Sequence, residues 1–253
     1  RHQEAIESFK QAIRIDPDYA DAHYNLGIAY GELGKQQEEI ESYRQAIGID
    51  PDFAWAHNNL GLAYGELGKY QEAIESYKQA IEIDPDDALA HLNLGVAYDK
   101  SGKHQEAIKS FRQALRINPD AADAHYNLGV AYRKSGKYQE AIKSYKQAIR
   151  IDPDFKDAHF NLGYTYAELG RYEEAIESYK HAVEIDPDDA SAHNNLGLAH
   201  GKLGMYKEAT EAFRQAIEID PDEAKAHYNL GVTYYKLGKY QEAIESYRQA
   251  IGI

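Results

Sequence analysis

The stretch that decides the fold is Ala54–Asp87, AWAHNNLGLAYGELGKYQEAIESYKQAIEIDPDD, because it returns every 34 residues along the 253-residue chain. Its proline marks the period, and the equivalent residues are Pro17, Pro51, Pro85, Pro119, Pro153, Pro187 and Pro221. A strict period of this length indicates a repeat array, in which each unit buries its apolar face on its neighbours. It argues against a globular domain with one central core.

The units are counted from Ala20, where six complete repeats begin and are followed by a shorter seventh. Residues 1–19 match the second half of a preceding unit. The predicted domain is a single array over 1–253, with repeats at 20–53, 54–87, 88–121, 122–155, 156–189, 190–223 and 224–253. Because the chain opens in mid-repeat without an initiator Met, we expect it to be part of a longer array.

The first half of each repeat has the spacing of an amphipathic helix. Leu60, Gly61 and Tyr64 recur at intervals that place them on one helical face. Gly68 then ends the helix, as glycine commonly does after a last turn.

The second half predicts another helix, which packs against the first. Its apolar face contains Tyr70, Ala73, Ile74, Tyr77, Ala80 and Ile81. Asp84 ends this helix because the residue before a proline disfavours the helical region. Asp86 is a suitable cap for the helix that follows.

Together these residues resemble the signature of the tetratricopeptide repeat (TPR) family, namely Leu60, Gly61, Tyr64, Gly68, Tyr70, Ala73, Tyr77, Ala80 and Pro85. The resemblance covers the whole chain. It implies an all-α fold, a right-handed superhelix that is an α-solenoid of antiparallel helix pairs, with the first helices lining a concave groove. Local departures are Glu39 in place of Ala73, His200 in place of Tyr64 and Thr210 in place of Ile74. A charged Glu39 among apolar neighbours is expected to loosen its repeat.

One polar residue is fixed on the groove-facing side of the first helix, at Asn25, Asn59, Asn93, Asn127, Asn161, Asn195 and Asn229. Asn in a helix interior lowers helix stability by roughly 0.5 kcal/mol relative to Ala, so seven such residues require an explanation. A carboxamide offers donors and an acceptor, and a row of them suits the backbone of an extended peptide. This row resembles the asparagine ladder of the TPR superhelix of O-linked N-acetylglucosamine transferase. Alternatively, each Asn bonds a neighbouring repeat and sets the superhelical pitch.

Beside this asparagine row, two positions vary between repeats while the packing positions stay constant. They include five aromatic residues, which we expect to contact the side chains of a ligand: Tyr24, Trp55, Tyr126, Phe160 and Tyr228. Exposed aromatic residues on a polar scaffold are typical of contact surfaces.

Composition disfavours several other functions. The net charge of −14 makes nucleic acid an improbable partner, although the charge is uneven: repeats 20–53 and 54–87 each carry −5, and the next two each carry +2. This unevenness either orients a ligand of mixed charge or reflects drift on solvated faces. The absence of Cys excludes disulfides, and no apolar run has the roughly 20 residues of a membrane span. A cytoplasmic location is expected, unless a signal peptide preceded this stretch.

A histidine recurs in each repeat, at His23, His57, His91, His125, His159, His193 and His227. Neighbouring repeats lie about 10 Å apart, which is too far for neighbouring imidazoles to share one metal ion easily. We therefore expect no metal, no cofactor and no catalytic residue, and each His is expected to fill space between helices.

The favoured function is a non-catalytic scaffold that binds an extended peptide or protein segment in its groove. One alternative is the substrate-recruiting arm of a larger enzyme such as a glycosyltransferase. Another is a self-assembling structural scaffold, since uncapped ends favour head-to-tail association.

Overall fold

The computed structural model describes residues 2–252, which form fifteen α-helices and no β-strand. In chain order the helices are α1 (His2–Ile15), α2 (Ala20–Gly31), α3 (Gln36–Ile49), α4 (Ala54–Glu66), α5 (Tyr70–Ile83), α6 (Ala88–Lys100), α7 (His104–Ile117), α8 (Ala122–Lys134), α9 (Tyr138–Ile151), α10 (Lys156–Glu168), α11 (Tyr172–Ile185), α12 (Ala190–Lys202), α13 (Tyr206–Ile219), α14 (Ala224–Lys236) and α15 (Tyr240–Ala250). The predicted all-α class is confirmed. None of these fifteen helices combines the length and the apolar character that a membrane span requires.

Even-numbered helices are the first helices of the repeats, and odd-numbered helices are the second helices. α2 packs along α3 as an antiparallel pair, and the same pairing recurs in α4–α5, α6–α7, α10–α11, α12–α13 and α14–α15. Contacts divide the chain into two compact units, one up to Ala131 and one from Tyr132 onward, so that the division falls within α8. Within each unit a second helix also packs on the first helix of the next repeat. The prediction of one array across both units stays a prediction.

A glycine allows the two helices of a pair to approach closely. A Cβ atom on Gly61 would lie only 2.6 Å from the ring of Tyr77, which is closer than real Cβ contacts allow. The same glycine–ring contact recurs, with a Cβ distance of 2.5 to 2.9 Å, in Gly27–Tyr43, Gly95–Phe111, Gly163–Tyr179, Gly197–Phe213 and Gly231–Tyr247. The aromatic ring of the second helix therefore fills the space that a side chain on the first helix would occupy.

The turn within a repeat depends on a second glycine. Gly68 has φ of 71°, which L-residues with side chains rarely adopt. The chain then reverses, and the amide of Lys69 donates to the carbonyl of Tyr64 at 2.9 Å. This satisfies a carbonyl that the end of α4 would leave without a partner, as predicted for a glycine-terminated helix.

Side chains of the repeat hold the turn between repeats. Asp84 accepts a hydrogen bond at Oδ1 from the amide of Asp86 at 3.2 Å, and each of the other inter-repeat turns has the equivalent bond. On the other side, Nε2 of His57 lies 3.0 Å from the carbonyl oxygen of Pro51. All seven repeated histidines contact the proline carbonyl six residues earlier, at 2.9 to 3.1 Å. They tie the first helix to the turn that precedes it.

The helix cap differs from the prediction. Asp86 does not cap α6, because α6 begins at Ala88 and the capping position is therefore Asp87. Asp87 accepts from the amides of Leu89 and Ala90 at 2.8 and 3.1 Å. The amide of Asp86 is instead part of the turn.

Two glycines of α4 give a matched test of the close helix contact. Gly61→Ala should lower the free energy of unfolding by about 1–3 kcal/mol, because its methyl group overlaps the Tyr77 ring. Gly65→Ala meets nothing within 4 Å, so it should be neutral or should stabilise by up to about 1 kcal/mol through helix propensity. Urea denaturation followed by circular dichroism measures both. Equal effects of the two substitutions would contradict the proposed role of the Gly61–Tyr77 contact.

Candidate functional site

The seven asparagines lie on the first helices, and all are half-buried. First helices of adjacent repeats contact each other within each unit, as α4 does with α6, and α12 does with α10 and α14. The asparagine side of each unit is therefore a surface made of first helices. We call this row of seven residues the asparagine row.

Three asparagines bond the preceding repeat through their side chains. Nδ2 of Asn59 donates to the hydroxyl of Tyr24 at 3.0 Å, and Nδ2 of Asn93 donates to Oδ1 of Asn58 at 3.1 Å. In the second unit Asn229 donates to Oδ1 of Asn194 at 3.0 Å. For these three positions the structural interpretation of the row holds, because each bond joins adjacent first helices.

The remaining asparagines donate to their own helix. Asn25, Asn127, Asn161 and Asn195 each bond the carbonyl four residues earlier, at 2.7 to 2.9 Å. Two of them have a clear reason. The residue 35 positions before Asn127 is Leu92, and the residue 35 before Asn195 is Phe160. Neither side chain can accept a hydrogen bond, so the carboxamide turns to its own backbone.

The predicted aromatic contact residues differ in exposure. Trp55 and Tyr228 are 66% and 57% exposed. Tyr24 is half-buried, with its ring centroid 5.8 Å from that of Tyr43 and 4.9 Å from that of Phe53. Phe160 is also half-buried and lies 5.7 Å from Tyr179. Trp55 and Tyr228 therefore offer most of their rings to a ligand.

Tyr126, the fifth predicted aromatic residue, is half-buried on α8.

Two clefts flank Asn59 in the first unit. The cleft that we name after Trp55 has a volume of about 440 Å³ and is lined by Tyr24, Trp55, Asn58, Asn59, Asp84, Asp86, Asp87, Ala88 and Leu89. The cleft that we name after Glu39 has a volume of about 490 Å³ and is lined by Ile28, Gly31, Glu32, Glu39, Tyr43, Asn59, Leu62 and Glu66. Every charged residue in both linings is acidic, and Asn59 belongs to both.

The second unit has equivalent clefts on both sides of Asn229. The Tyr228 cleft, of about 600 Å³, is lined by Ser191, Asn194, Asn195, Leu198, Glu223, Ala224, Lys225, Tyr228, Asn229, Ala250 and Ile251. The Lys236 cleft, of about 210 Å³, is lined by Gly197, Leu198, Gly201, Lys202, Tyr206, Phe213, Asn229, Val232, Thr233 and Lys236. The charged residues of the Lys236 cleft are cationic, in contrast to those of the Glu39 cleft.

Sequence reasoning missed most of the charged residues in these clefts. Asp84 and Asp87 come from the turn between repeats, and Glu66 lies at the end of α4. Each of these residues lies next to an asparagine of the row when the repeats stack. Predicting this from the sequence requires knowledge of which helix ends of neighbouring repeats meet.

Glu39 occupies an unusual environment for a carboxyl group. It is 9% exposed, and burial raises its pKa to about 7, with a further contribution from the negative charge of Glu66. A hydrogen bond from Tyr43 acts in the opposite direction. A Cβ on Gly31 would lie 2.9 Å from the carboxyl carbon of Glu39, so Gly31 provides the space for this side chain.

The repeated histidines are held by the proline carbonyls described above. No group of three or more potential ligands among residues 2–252 has a metal-binding arrangement. The histidines are thus accounted for by the turns that they hold.

Comparison with known families matches the whole length of this repeat pattern. A model described as TPR repeat matches residues 1–34, 29–68, 66–102, 98–136, 129–170, 163–204 and 202–238, and a second, described as tetratricopeptide repeat, matches 224–253. The chain belongs to the tetratricopeptide repeat family. This confirms the resemblance read from the sequence. No curated protein matches the chain in sequence.

Several solved TPR structures are similar to this chain. MamA is 30% identical, with 68% of this chain and 94% of MamA covered and a TM-score of 0.62. YrrB, described as a TPR protein with an unusual peptide-binding site, is 29% identical, with 71% and 92% covered and a TM-score of 0.63. A chain of the APC/C hetero-tetramer Cut9-Hcn1 is 20% identical, with 92% of this chain and 46% of that chain covered and a TM-score of 0.68. The last supports the fold alone.

Glu39→Ala should stabilise the first TPR repeat most at neutral and alkaline pH. The folded pKa of Glu39 is raised, so the folded chain binds more protons than the unfolded chain between about pH 4.3 and about 7. Wild-type stability is therefore lost as pH rises through this window, and Ala removes the loss. We expect a gain on the order of 1–2 kcal/mol at pH 8.

Urea denaturation followed by Trp55 emission measures this gain at pH 4.5 and pH 8. Trp55 is the single Trp of the chain and belongs to the adjacent repeat. A gain of equal size at both pH values would show that the charge of Glu39 is not the cause.

Proposed function

We propose that this protein is a non-catalytic TPR scaffold that binds an extended peptide or protein segment along its asparagine row. The observation that carries the proposal is the behaviour of Asn127 and Asn195. Each donates to a carbonyl of its own helix, a bond that the helix does not need. An asparagine with no role between repeats costs helix stability, and ligand binding gives it a purpose.

The chemistry of the carboxamide fits an extended backbone. A side-chain amide has two N–H donors and an acceptor oxygen, and the helix bond uses one donor of Asn127. A second donor and an acceptor match the C=O and N–H that one residue of an extended peptide presents on an edge. Such contacts do not depend on the side chains of the ligand, which would be distinguished by Trp55 and Tyr228.

Other observations support a scaffold over alternatives. The similar chain YrrB is described as having a peptide-binding site. The net charge of −14 disfavours nucleic acid as a partner. We assign the protein to the cytoplasm and assign it no cofactor. The likeness of the asparagine row to the ladder of O-linked N-acetylglucosamine transferase, and a role as the recruiting arm of a larger enzyme, stay hypotheses.

A triple variant, N25A/N127A/N195A, separates the two roles of the asparagine row. A peptide is first selected on the wild-type protein from a random-sequence display library, and its affinity is then measured by fluorescence anisotropy. We expect the variant to bind this peptide at least about tenfold more weakly, since each lost pair of backbone contacts contributes about 1 kcal/mol. It should also be more stable than wild type, because Ala is the better helix former.

The matched variant is N59A/N93A/N229A, which removes the bonds between repeats. It should bind weakly as well, but without the gain in stability. Unchanged affinity in N25A/N127A/N195A would contradict the proposal and leave the row with a structural role alone.

A self-assembling structural scaffold, with head-to-tail association of copies of this chain, stays a second hypothesis.

Sedimentation velocity over about two orders of magnitude in concentration tests this association. Under this hypothesis the mean sedimentation coefficient rises with concentration. A monomer over the whole range would contradict it.

A further inference from the structure

The residue that breaks the repeat most strongly also lines a cleft. At the position of Glu39 the other second helices have Ala in every case: Ala5, Ala73, Ala107, Ala141, Ala175, Ala209 and Ala243. Five of these alanines are completely buried. Glu39 reaches past Gly31 into the Glu39 cleft beside the asparagine row. A costly carboxyl group at an alanine position, directed at a cleft, indicates a function in binding.

No countercharge accompanies this carboxyl group. Among the described residues, no Lys, Arg or His lies within ion-pair distance of Glu39, and none lines the Glu39 cleft. Glu32 and Glu66 add two more carboxylates at the rim. A buried carboxylate normally has a cation or several donors as partners, so a ligand cation would supply what the fold lacks.

The Trp55 cleft, on the other side of Asn59, points to the same kind of ligand. Its indole is 66% exposed, and an exposed indole face attracts guanidinium and ammonium groups. Asp84, Asp86 and Asp87 line the same cleft. Asp84 and Asp87 each accept a hydrogen bond from a backbone amide.

The position of Asn59 joins the two clefts into one site. Its carboxamide lines both, and its Nδ2 is held by the hydroxyl of Tyr24. A peptide backbone at Asn59 would place one side chain in each cleft. All charged residues that line the two clefts belong to repeats 20–53 and 54–87, which each carry a net charge of −5. This charge favours a basic over an acidic segment at a distance as well.

We propose that the first unit recognises a basic peptide segment, with one Lys or Arg paired to Glu39 and a second stacked on Trp55, on either side of Asn59. This inference rests on the proposed function and gives it a ligand class. In the bound state the ligand cation provides the countercharge for Glu39, which accepts a hydrogen bond from Tyr43 within the fold. Glu39 in place of Ala thus lowers the stability of the fold but allows the site to distinguish between ligands.

Three short peptides with blocked ends test the selectivity, with Thr alternating with Lys, Gln or Glu. Binding is measured by anisotropy of a fluorescein label, and the emission of Trp55 reports whether the ligand reaches the first unit. We expect the Lys peptide to bind at least about tenfold more tightly than the Gln peptide at low salt. This advantage should shrink as NaCl rises from about 0.05 to about 0.3 M. The Glu peptide should leave Trp55 emission unchanged.

Variants of Glu39 test whether its charge causes the preference for the Lys peptide. Glu39→Gln keeps the shape of the side chain and removes its charge, and Glu39→Ala restores the residue of the other repeats. Both should bind the Lys peptide about five- to tenfold more weakly and bind the Gln peptide as wild type does. Since Glu39→Ala is expected to be the more stable protein, its loss of binding cannot come from unfolding. Glu75→Gln, on the exposed face of α5, makes the same change in net charge and should have no effect.

Two results would overturn the inference. One is equal affinity of the Lys and Gln peptides for wild type, and the other is an equal loss of affinity in Glu75→Gln and Glu39→Gln. In either case the N25A/N127A/N195A variant still decides the proposed function on its own. If that variant loses its selected ligand, the groove binds peptides without preferring basic ones.

Discussion

The close contact between one glycine and one aromatic ring sets the geometry of each repeat. With a Cβ on Gly61 only 2.6 Å from Tyr77, the two helices of the pair pack closely, and the ring fills the space between them. Tyr77 is buried, and the same arrangement recurs with Phe111, Tyr179 and Phe213. Because this contact uses the inner side of the first helix, the other side of that helix is available for polar and variable residues. The candidate site depends on this division of the helix surface.

The histidine–proline bond orients that surface. An imidazole that contacts the carbonyl six residues earlier fixes the start of the first helix relative to the turn. The turn itself is held by Asp84 through its bond to the amide of Asp86. These bonds position Asp87 and Trp55, which lie at the start of first helices, near the turns. The repeated histidines, which look like candidates for metal chemistry in the sequence, therefore help to position the residues of the candidate site.

Much of this architecture could be predicted from the sequence, because the signals are local. Gly68 and Pro85 end helices for reasons of backbone geometry, and the observed ends of α4 and α5 agree with them. The exposure of Trp55 was also predictable from helical periodicity, whereas the partial burial of Tyr24 was not. Tyr24 packs on Phe53, which belongs to the following turn, and single-helix periodicity carries no information on such a neighbour. The acidic clefts were missed for the same reason, since the residues that line each cleft come from more than one repeat.

For Asn59, Asn93, Asn127, Asn195 and Asn229, the hydrogen-bond partner can be read from the residue 35 positions earlier. A tyrosine or an asparagine there, such as Tyr24 or Asn58, links two repeats, and a leucine or phenylalanine, such as Leu92 or Phe160, does not. After duplication, a single substitution at this position changes the hydrogen bond of one asparagine. The hydrogen bonds of the other asparagines and the helix pairs stay as they were. An array built in this way can vary the polar groups on its surface, repeat by repeat, while the packing within each helix pair stays the same.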